Sequence, residues 1–180
     1  MTQTYDEIDQ ENLEPGAAHI APKMGTMAYI SLALWIIGFE AVSWGIGLLT
    51  QGEVDGWYQA LDKPPLNPPD IAFPIAWGLL YVLLAATGWY LWHHRKSGQT
   101  GFIWALFLTY MGFNWSWMFI FFSAHMVFAA FLWISVLNVL SVMIITLSRK
   151  VAKPVYWMMI PPTIWTLFAA YLNGGILILN

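Results

Sequence analysis

The ionisable side chain in the most unusual setting is Glu40, which lies in the middle of an apolar run from residue 25 to residue 50. A carboxyl group inside a membrane-spanning segment is a candidate functional group by default, because its burial there is unfavourable. Burial also favours the neutral form of an acid. Glu40 can therefore be a structural contact, bonded to Ser43 or Asn138, or it can bind a ligand or a proton. The sequence leaves both alternatives open.

The rest of the chain carries no pattern of a conventional enzyme. It has no cysteine, which excludes disulfides, zinc–thiolate sites and cysteine nucleophiles. His93 and His94 are adjacent at the end of an apolar run and precede Arg95 and Lys96. Adjacent side chains on a helix diverge, so this pair indicates a polar membrane interface rather than a metal site. We expect no metal and no resident cofactor.

Eleven of the twelve tryptophans fall into two groups by position. Five lie near the ends of apolar runs, where tryptophan commonly marks the membrane interface: Trp57, Trp89, Trp92, Trp104 and Trp157. The deeper group lies roughly 7–10 Å or more from one end of each helix, at about 1.5 Å per residue: Trp44, Trp77, Trp115, Trp117, Trp133 and Trp165.

The deeper tryptophans can be ordinary packing, or they can form the walls of a cavity. We predict that all five spans direct an indole into one cavity, suited to a flat, conjugated or sterol-like ligand. Each buried indole N–H requires an acceptor. Asn114 and Ser116 are the acceptors expected for Trp115 and Trp117.

A stiff loop separates the first two apolar runs. Its segment "LDKPPLNPPD", residues 61–70, has prolines at four of ten positions. Proline fixes φ, so such a loop loses little entropy in holding one shape. We predict that residues 51–70 form a lid over the cavity, with Trp57 and Tyr58 at its hinge and Asp70 capping the next helix. An ordinary ordered loop is the alternative.

Five apolar runs position these residues, approximately 25–50, 71–92, 102–122, 126–147 and 155–179. Each is long enough to cross a bilayer, which takes about 20 residues. Only 9% of the residues are charged, against about 25% in soluble domains. The sequence therefore predicts an all-α membrane protein, a five-transmembrane-helix bundle. The Pro161–Pro162 pair should kink the fifth span without ending it.

Basic residues predict the orientation. Six of them fall on one side of the membrane and only Lys63 on the other, which indicates a cytoplasmic N-terminus and an outer C-terminus. Residues 1–24 are acidic and lack apolar periodicity, so we expect a disordered tail before a membrane domain at 25–180. No signal peptide is visible, and no basic patch indicates nucleic acid.

Three motifs carry a resemblance to a known family. The segments are "WYQALDKPPLNPPDIAFPIAWGLLY" (57–81), "FNWSWMFIFF" (113–122) and "PPTIWTLFAAYLN" (161–173). They resemble, in order, the first-loop, third-helix and fifth-helix motifs of the tryptophan-rich sensory protein or translocator protein family, also called TspO/MBR. The resemblance covers residues 25–180 and suggests a bacterial-type member, and hence a protein of a bacterial inner membrane.

The resemblance implies a five-helix bundle, often dimeric, with a pocket closed by the first loop. It implies porphyrins such as protoporphyrin IX, haem-pathway intermediates and sterols as ligands. The tryptophans that the family associates with light-dependent porphyrin degradation match Trp77 and Trp165. The remaining pocket positions carry over to Tyr58, Phe73, Ala76, Asn114, Trp115, Trp117, Ala169 and Leu172. His125 could ligate the edge of a haem, although a solvated turn is the simpler expectation.

Several positions depart from the family pattern. Leu66 and Ile71 replace loop aromatics, and Trp133 replaces an acidic residue. Glu40 is not expected from the family. No basic residue follows Tyr171, so the resemblance gives no support for sterol recognition by the motif known in vertebrate members.

Three functions are consistent with the sequence. The first is a sensor or transporter that binds porphyrin or a related tetrapyrrole, and we favour it. The second is a light-dependent porphyrin-degrading enzyme that uses Trp77 and Trp165, and the third is a regulatory membrane partner without a small ligand. Small residues four apart, Ala41 with Gly45 and Ala170 with Gly174, also predict a homodimer.

Overall fold

A computed structural model describes residues 25–180, so the predicted acidic tail at 1–24 lies outside the described residues. Helices make up most of the described chain, and residues 25–180 contain no strand. Its helices are α1 (Thr26–Asp55), α2 (Trp57–Ala60), α3 (Ala72–His94), α4 (Gly98–Met118), α5 (Val127–Val151) and α6 (Lys153–Leu179). A π-helical turn, Phe119–Ser123, extends α4. Five of these helical segments are long and apolar enough to cross a membrane, which confirms the predicted fold class.

The long helices form a closed ring. α1 packs against α3, α3 against α6, α6 against α5, α5 against α4, and α4 with its π-helical turn returns to α1. α1 is the least enclosed member, since Thr50 is its only buried residue. Its outward face is rich in exposed apolar side chains such as Leu34, Ile37 and Leu49, which suits contact with lipid.

The two ends of the ring are filled differently. The end beside the short α3–α4 and α5–α6 connections, here called the packed half, is solid. Leu91, Phe107, Ile144 and Met159 have no exposed surface there. The end beside α2 and the loop 61–71 contains the cavity described below and is called the cavity half.

Gly88 brings the helices together in the packed half. A Cβ atom at this position would lie 2.7 Å from Cζ3 of Trp35 and 3.0 Å from Cε1 of Phe107. Only glycine leaves room for α1 and α4 to place these rings against α3. Trp35 continues the contact by packing edge-on against Trp104, with ring centroids 6.1 Å apart.

α6 passes through the Pro161–Pro162 pair without interruption, so the prediction that these prolines do not end the helix is confirmed. Proline has no N–H for the usual bond to the carbonyl four residues earlier. Directly after the pair, Thr163 donates its hydroxyl to the carbonyl of Met159 at 2.7 Å.

The two pairs of small residues that predict a homodimer, one in α1 and one in α6, have different surroundings. In α6, a Cβ atom at Gly174 would lie 3.0 Å from the ring of Phe131, so this glycine serves packing of α5 on α6 within one chain. In α1, Ala41 is exposed and Gly45 meets nothing within 4 Å. The homodimer stays a prediction, and it now depends on the α1 pair.

Candidate ligand cavity

The cavity half encloses a space of about 640 Å³ among the five long helices. α2 and the loop after it lie over this space. Most of the predicted site residues line it: Glu40, Tyr58, Phe73, Trp77, Asn114, Trp117, Trp165, Ala169 and Leu172. The structure therefore brings together side chains that are up to 132 positions apart in the sequence, from Glu40 to Leu172.

Two predicted residues do not reach the cavity. Ala76 is not among the lining residues. Trp115 turns toward α1, where its ring meets Phe39 edge-on with centroids 5.6 Å apart. Its Nε1 is buried without a hydrogen-bond partner among the described residues.

The prediction that every span sends an indole into the cavity is wrong for the fourth span. Trp133 of α5 stacks on Phe113 with centroids 4.3 Å apart and donates its Nε1–H to Oγ of Ser116 at 2.9 Å. Ser116 is thus occupied by Trp133, and Trp117 donates instead to the carbonyl of Ala130 at 3.1 Å. α5 contributes only the aliphatic side chains of Ile134 and Leu137 to the wall.

A buried hydrogen bond forms one polar patch of the wall. The hydroxyl of Tyr81 donates to Oδ1 of Asn114 at 2.7 Å, so Asn114 pairs with Tyr81 and not with Trp115 as predicted. Tyr81 was not anticipated from the sequence, although it lies one turn after Trp77 on the same helical face. Trp165 lines the cavity with a buried Nε1–H that has no partner in the described part of the chain.

Glu40 lies against the cavity without the contacts predicted for it. Its Oε1 atom is buried and has no hydrogen-bond partner within residues 25–180. Asn138 is engaged elsewhere, because it accepts a hydrogen bond from Oγ1 of Thr166 at 2.7 Å and donates to the carbonyl of Thr166 at 3.3 Å. The rotation of α5 about its axis thus directs Asn138 toward α6, and the predicted contact with Glu40 of α1 does not form.

Tyr58 of α2 closes the top of the cavity. Its side chain is buried, and its hydroxyl donates to Oδ1 of Asn67 at 3.0 Å. Burial, with a smaller contribution from the negative charge of Asp70, raises the pKa of Tyr58 to about 12, while the hydrogen bond with Asn67 acts in the opposite direction. The phenol therefore stays neutral at physiological pH and keeps its proton for this bond.

Asp70 does not cap α3 as predicted. The cap position is Ile71 and carries no side-chain hydrogen bond. Oδ2 of Asp70 instead accepts a hydrogen bond from Nε2 of Gln59 at 2.7 Å. The carboxylate thus ties α2 to the far end of the proline loop.

The proline loop is held on α6 by three contacts. The hydroxyl of Tyr171 donates to the carbonyl of Pro65 at 2.8 Å, and the side chain of Asn180 bonds both backbone groups of Asp62 at 3.0 Å. Pro64 lies so close to α6 that a Cβ atom at Gly175 would be 2.5 Å from it. These contacts fit a fixed roof, and the motion that a lid requires stays a prediction.

Trp57 is not a free hinge. Its ring stacks on His125 with centroids 4.2 Å apart, and Nε2 of His125 lies 2.8 Å from Oε2 of Glu53. His125 adopts a left-handed backbone with φ of 54°, which turns the chain from the π-helical segment into α5. It therefore joins α1, α2 and this turn outside the cavity, and is not placed to ligate a haem inside.

The other histidines in the described chain face the opposite end of the bundle. Nδ1 of His93 and Nδ1 of His94 bond the carbonyls of Trp89 and Tyr90. Across residues 25–180, no group of three or more histidine or acidic side chains is arranged to hold a metal ion.

Comparison with known proteins identifies one family. Residues 32–179 match the family model described as the TspO/MBR family. The chain is 30% identical to the tryptophan-rich protein TspO of Chlorobaculum tepidum, an alignment that covers 84% of this chain and 96% of that protein. It is 28% identical to the translocator protein of Ovis aries, over 77% and 87% of the two chains. It is 29% identical to the tryptophan-rich sensory protein of Cereibacter sphaeroides, over 68% and 64%.

Proposed function

Because the chain belongs to the TspO/MBR family of membrane proteins, we propose that it binds porphyrin or a related hydrophobic tetrapyrrole in the cavity beneath the loop 51–70. In this proposal the protein is a sensor or transporter rather than a conventional enzyme. The ligand enters from the bilayer or the outer surface and is held between α1, α3 and α6.

The arrangement of aromatic side chains carries this proposal. Trp77 from α3 and Trp165 from α6 line the same cavity, and Phe73 meets Trp165 edge-on with centroids 6.1 Å apart. The volume of about 640 Å³ lies within the range of about 300–1,000 Å³ typical of small-molecule sites. Flat aromatic walls with few polar groups suit a conjugated macrocycle.

An absorbance titration tests the proposal. Purified full-length protein in lipid nanodiscs would be titrated with a panel of porphyrins in the dark, using empty nanodiscs as the control for partition into lipid. We expect a saturable spectral shift that the empty discs do not give. Identical spectra with and without protein would reject porphyrin binding and favour the regulatory partner without a small ligand.

A second function, light-dependent porphyrin degradation, is favoured by one observation. The indoles of Trp77 and Trp165 face one space, so a bound and excited ligand would contact both. Trp77→Phe and Trp165→Phe should change binding by no more than about 1–2 kcal/mol, the scale of an aromatic contact, while photobleaching falls sharply. Trp157→Phe, at an exposed position, is the matched control.

Because Leu66 replaces an aromatic residue of the roof, we expect the wild type to bleach porphyrin weakly. Efficient bleaching that requires both Trp77 and Trp165 would reverse the order of the two proposals. Bleaching that persists in both variants would show that the indoles are not involved.

The orientation, the bacterial inner membrane and the homodimer also belong to this proposal. A C-terminus on the outer side would be labelled by a membrane-impermeant reagent at an introduced Asn180→Cys in intact cells. Cross-linking in mild detergent should yield a dimer that Gly45→Leu weakens. Monomer alone in the wild type would refute the dimer.

A further inference from the structure

Glu40 occupies the midpoint of the longest helix in the bundle. α1 runs from Thr26 to Asp55, so Glu40 lies roughly 21 Å along the helix from either end at about 1.5 Å per residue. The side chain is partly enclosed and faces the cavity, and its Oε1 atom is buried without a partner in the described chain. A carboxyl group at this depth is unfavourable unless something pairs with it.

The walls of the cavity provide no positive charge. Among the described residues that line it, three carry carboxyl groups, Glu40, Asp55 and Asp70, and none is lysine, arginine or histidine. Asp55 accepts a hydrogen bond from Gln51, and Asp70 accepts one from Gln59. Glu40 is therefore the one acid of this set whose carboxyl group receives no side-chain hydrogen bond within residues 25–180.

The aromatic walls, like the acids, favour a positively charged ligand. Trp77, Tyr81 and Trp165 line the space that Glu40 faces. The faces of aromatic rings carry negative potential and attract cations. An aromatic cavity whose unpaired ionisable group is a carboxyl favours a cation over an anion, because a cation is the partner that would stabilise the carboxylate.

We infer that the cavity accepts a hydrophobic ligand bearing a protonated or quaternary amine, with the nitrogen placed beside Glu40 and the apolar part against Trp77 and Trp165. Glu40 is then the residue that selects for charge in this chain. The inference rests on the proposed function, because it concerns the occupant of the same cavity. It goes beyond that proposal by naming a second class of ligand for the cavity, one in which a positively charged nitrogen accompanies the apolar part.

A pair of probes with the same shape tests the inference. One probe is a phenylalkyl trimethylammonium ion, and the other is its neutral tert-butyl analogue, in which carbon replaces nitrogen. Binding to wild-type protein in nanodiscs is followed by tryptophan fluorescence and corrected for partition into empty discs. We expect the ammonium probe to bind about tenfold or more tightly, the scale of a desolvated cation contact.

Variants at two acids of α1 give the matched comparison. Glu40→Gln should abolish the preference for the ammonium probe and leave the affinity of the neutral probe unchanged. Glu40→Asp, which keeps the charge, should retain part of the preference. Glu53→Gln makes the same change on the same helix at a residue that does not line the cavity and should retain all of it.

Each contrary result has a distinct meaning. Equal affinity of the two probes for the wild type overturns the inference, even if Glu40→Gln does not fold. A preference that survives in Glu40→Gln, or an equal loss of both probes, also overturns it. If porphyrin binds and the ammonium probe does not, the inference fails while the proposed function stands. If no probe and no porphyrin binds, both fail.

Discussion

Gly78 and Gly88 lie on the same helix, ten residues apart, in opposite surroundings. A Cβ atom at Gly88 would meet Trp35 at 2.7 Å, whereas one at Gly78 would meet nothing within 4 Å. Gly88 belongs to the packed half and Gly78 lines the cavity. In the packed half, the lack of a side chain at glycine lets the helices approach each other. In the cavity half, it leaves space open for a ligand.

The difference does not come from the number of aromatic residues. Trp35, Trp92 and Trp104 pack together in the packed half, with centroids 5.7–6.5 Å apart. In the cavity half, hydrogen bonds hold large side chains against the walls, as between Tyr81 and Asn114. Such polar contacts hold part of the wall in place and keep these side chains from filling the centre of the cavity.

The largest expected effect follows from filling the cavity. Gly78→Leu adds a side chain to a position that opens on the empty space, so it should displace ligand without straining the helix packing. We expect porphyrin affinity to fall about a hundredfold, which corresponds to about 2.7 kcal/mol. A titration in nanodiscs would measure it.

Gly112→Leu is the control for that experiment. Gly112 is exposed and does not line the cavity, and a Cβ atom there would meet nothing within 4 Å. The substitution should leave affinity unchanged. Undiminished binding in Gly78→Leu would place the ligand elsewhere.

A smaller effect is expected in the packed half. Gly88→Ala inserts a methyl group against Trp35 and Phe107 and should lower the free energy of unfolding by about 1–3 kcal/mol, as overpacking does. Gly78→Ala should be neutral or stabilising, because alanine favours helix over glycine by about 1 kcal/mol. Thermal unfolding in one detergent would compare them. Equal stability of the two variants would contradict the division into halves.

The smallest effect concerns the roof. Replacing Pro64 and Pro65 by alanine should weaken ligand binding a few-fold, because the loop loses preorganisation. Stability should fall only slightly, since the change removes part of one contact, that of Pro64 with α6 at Gly175. Pro69→Ala, at an exposed position of the same loop, is the control. Unchanged affinity in the double variant would show that the loop does not act as a lid.

The five spans were predictable because twenty or more apolar residues in a row have few other structures available. The residues at which the helices begin and end were less predictable. The first run was expected to end near residue 50, yet α1 continues to Asp55. Hydropathy records only the apolar part of a helix, whereas Gln51 and Asp55 extend it through a bond between their own side chains.

The site was predictable in its residues but not in their partners. Trp77, Trp165 and Asn114 reach one cavity as expected. The pairing of Trp133 with Ser116, and of Asn138 with Thr166, was missed. These helices are apolar on nearly every side, so the sequence has no polar face that would indicate how each helix is rotated about its own axis. Which polar groups meet is decided only by the packing between helices.

The bond between Asn180 and the backbone of Asp62 has a practical consequence for protein production. It joins the end of α6 directly to the roof of the cavity. A purification tag or fluorescent fusion attached after Asn180 would extend from this junction and compete for the space beside the loop. Affinities measured before and after cleavage of such a tag would therefore differ, and the cleaved protein is the appropriate sample for ligand screening.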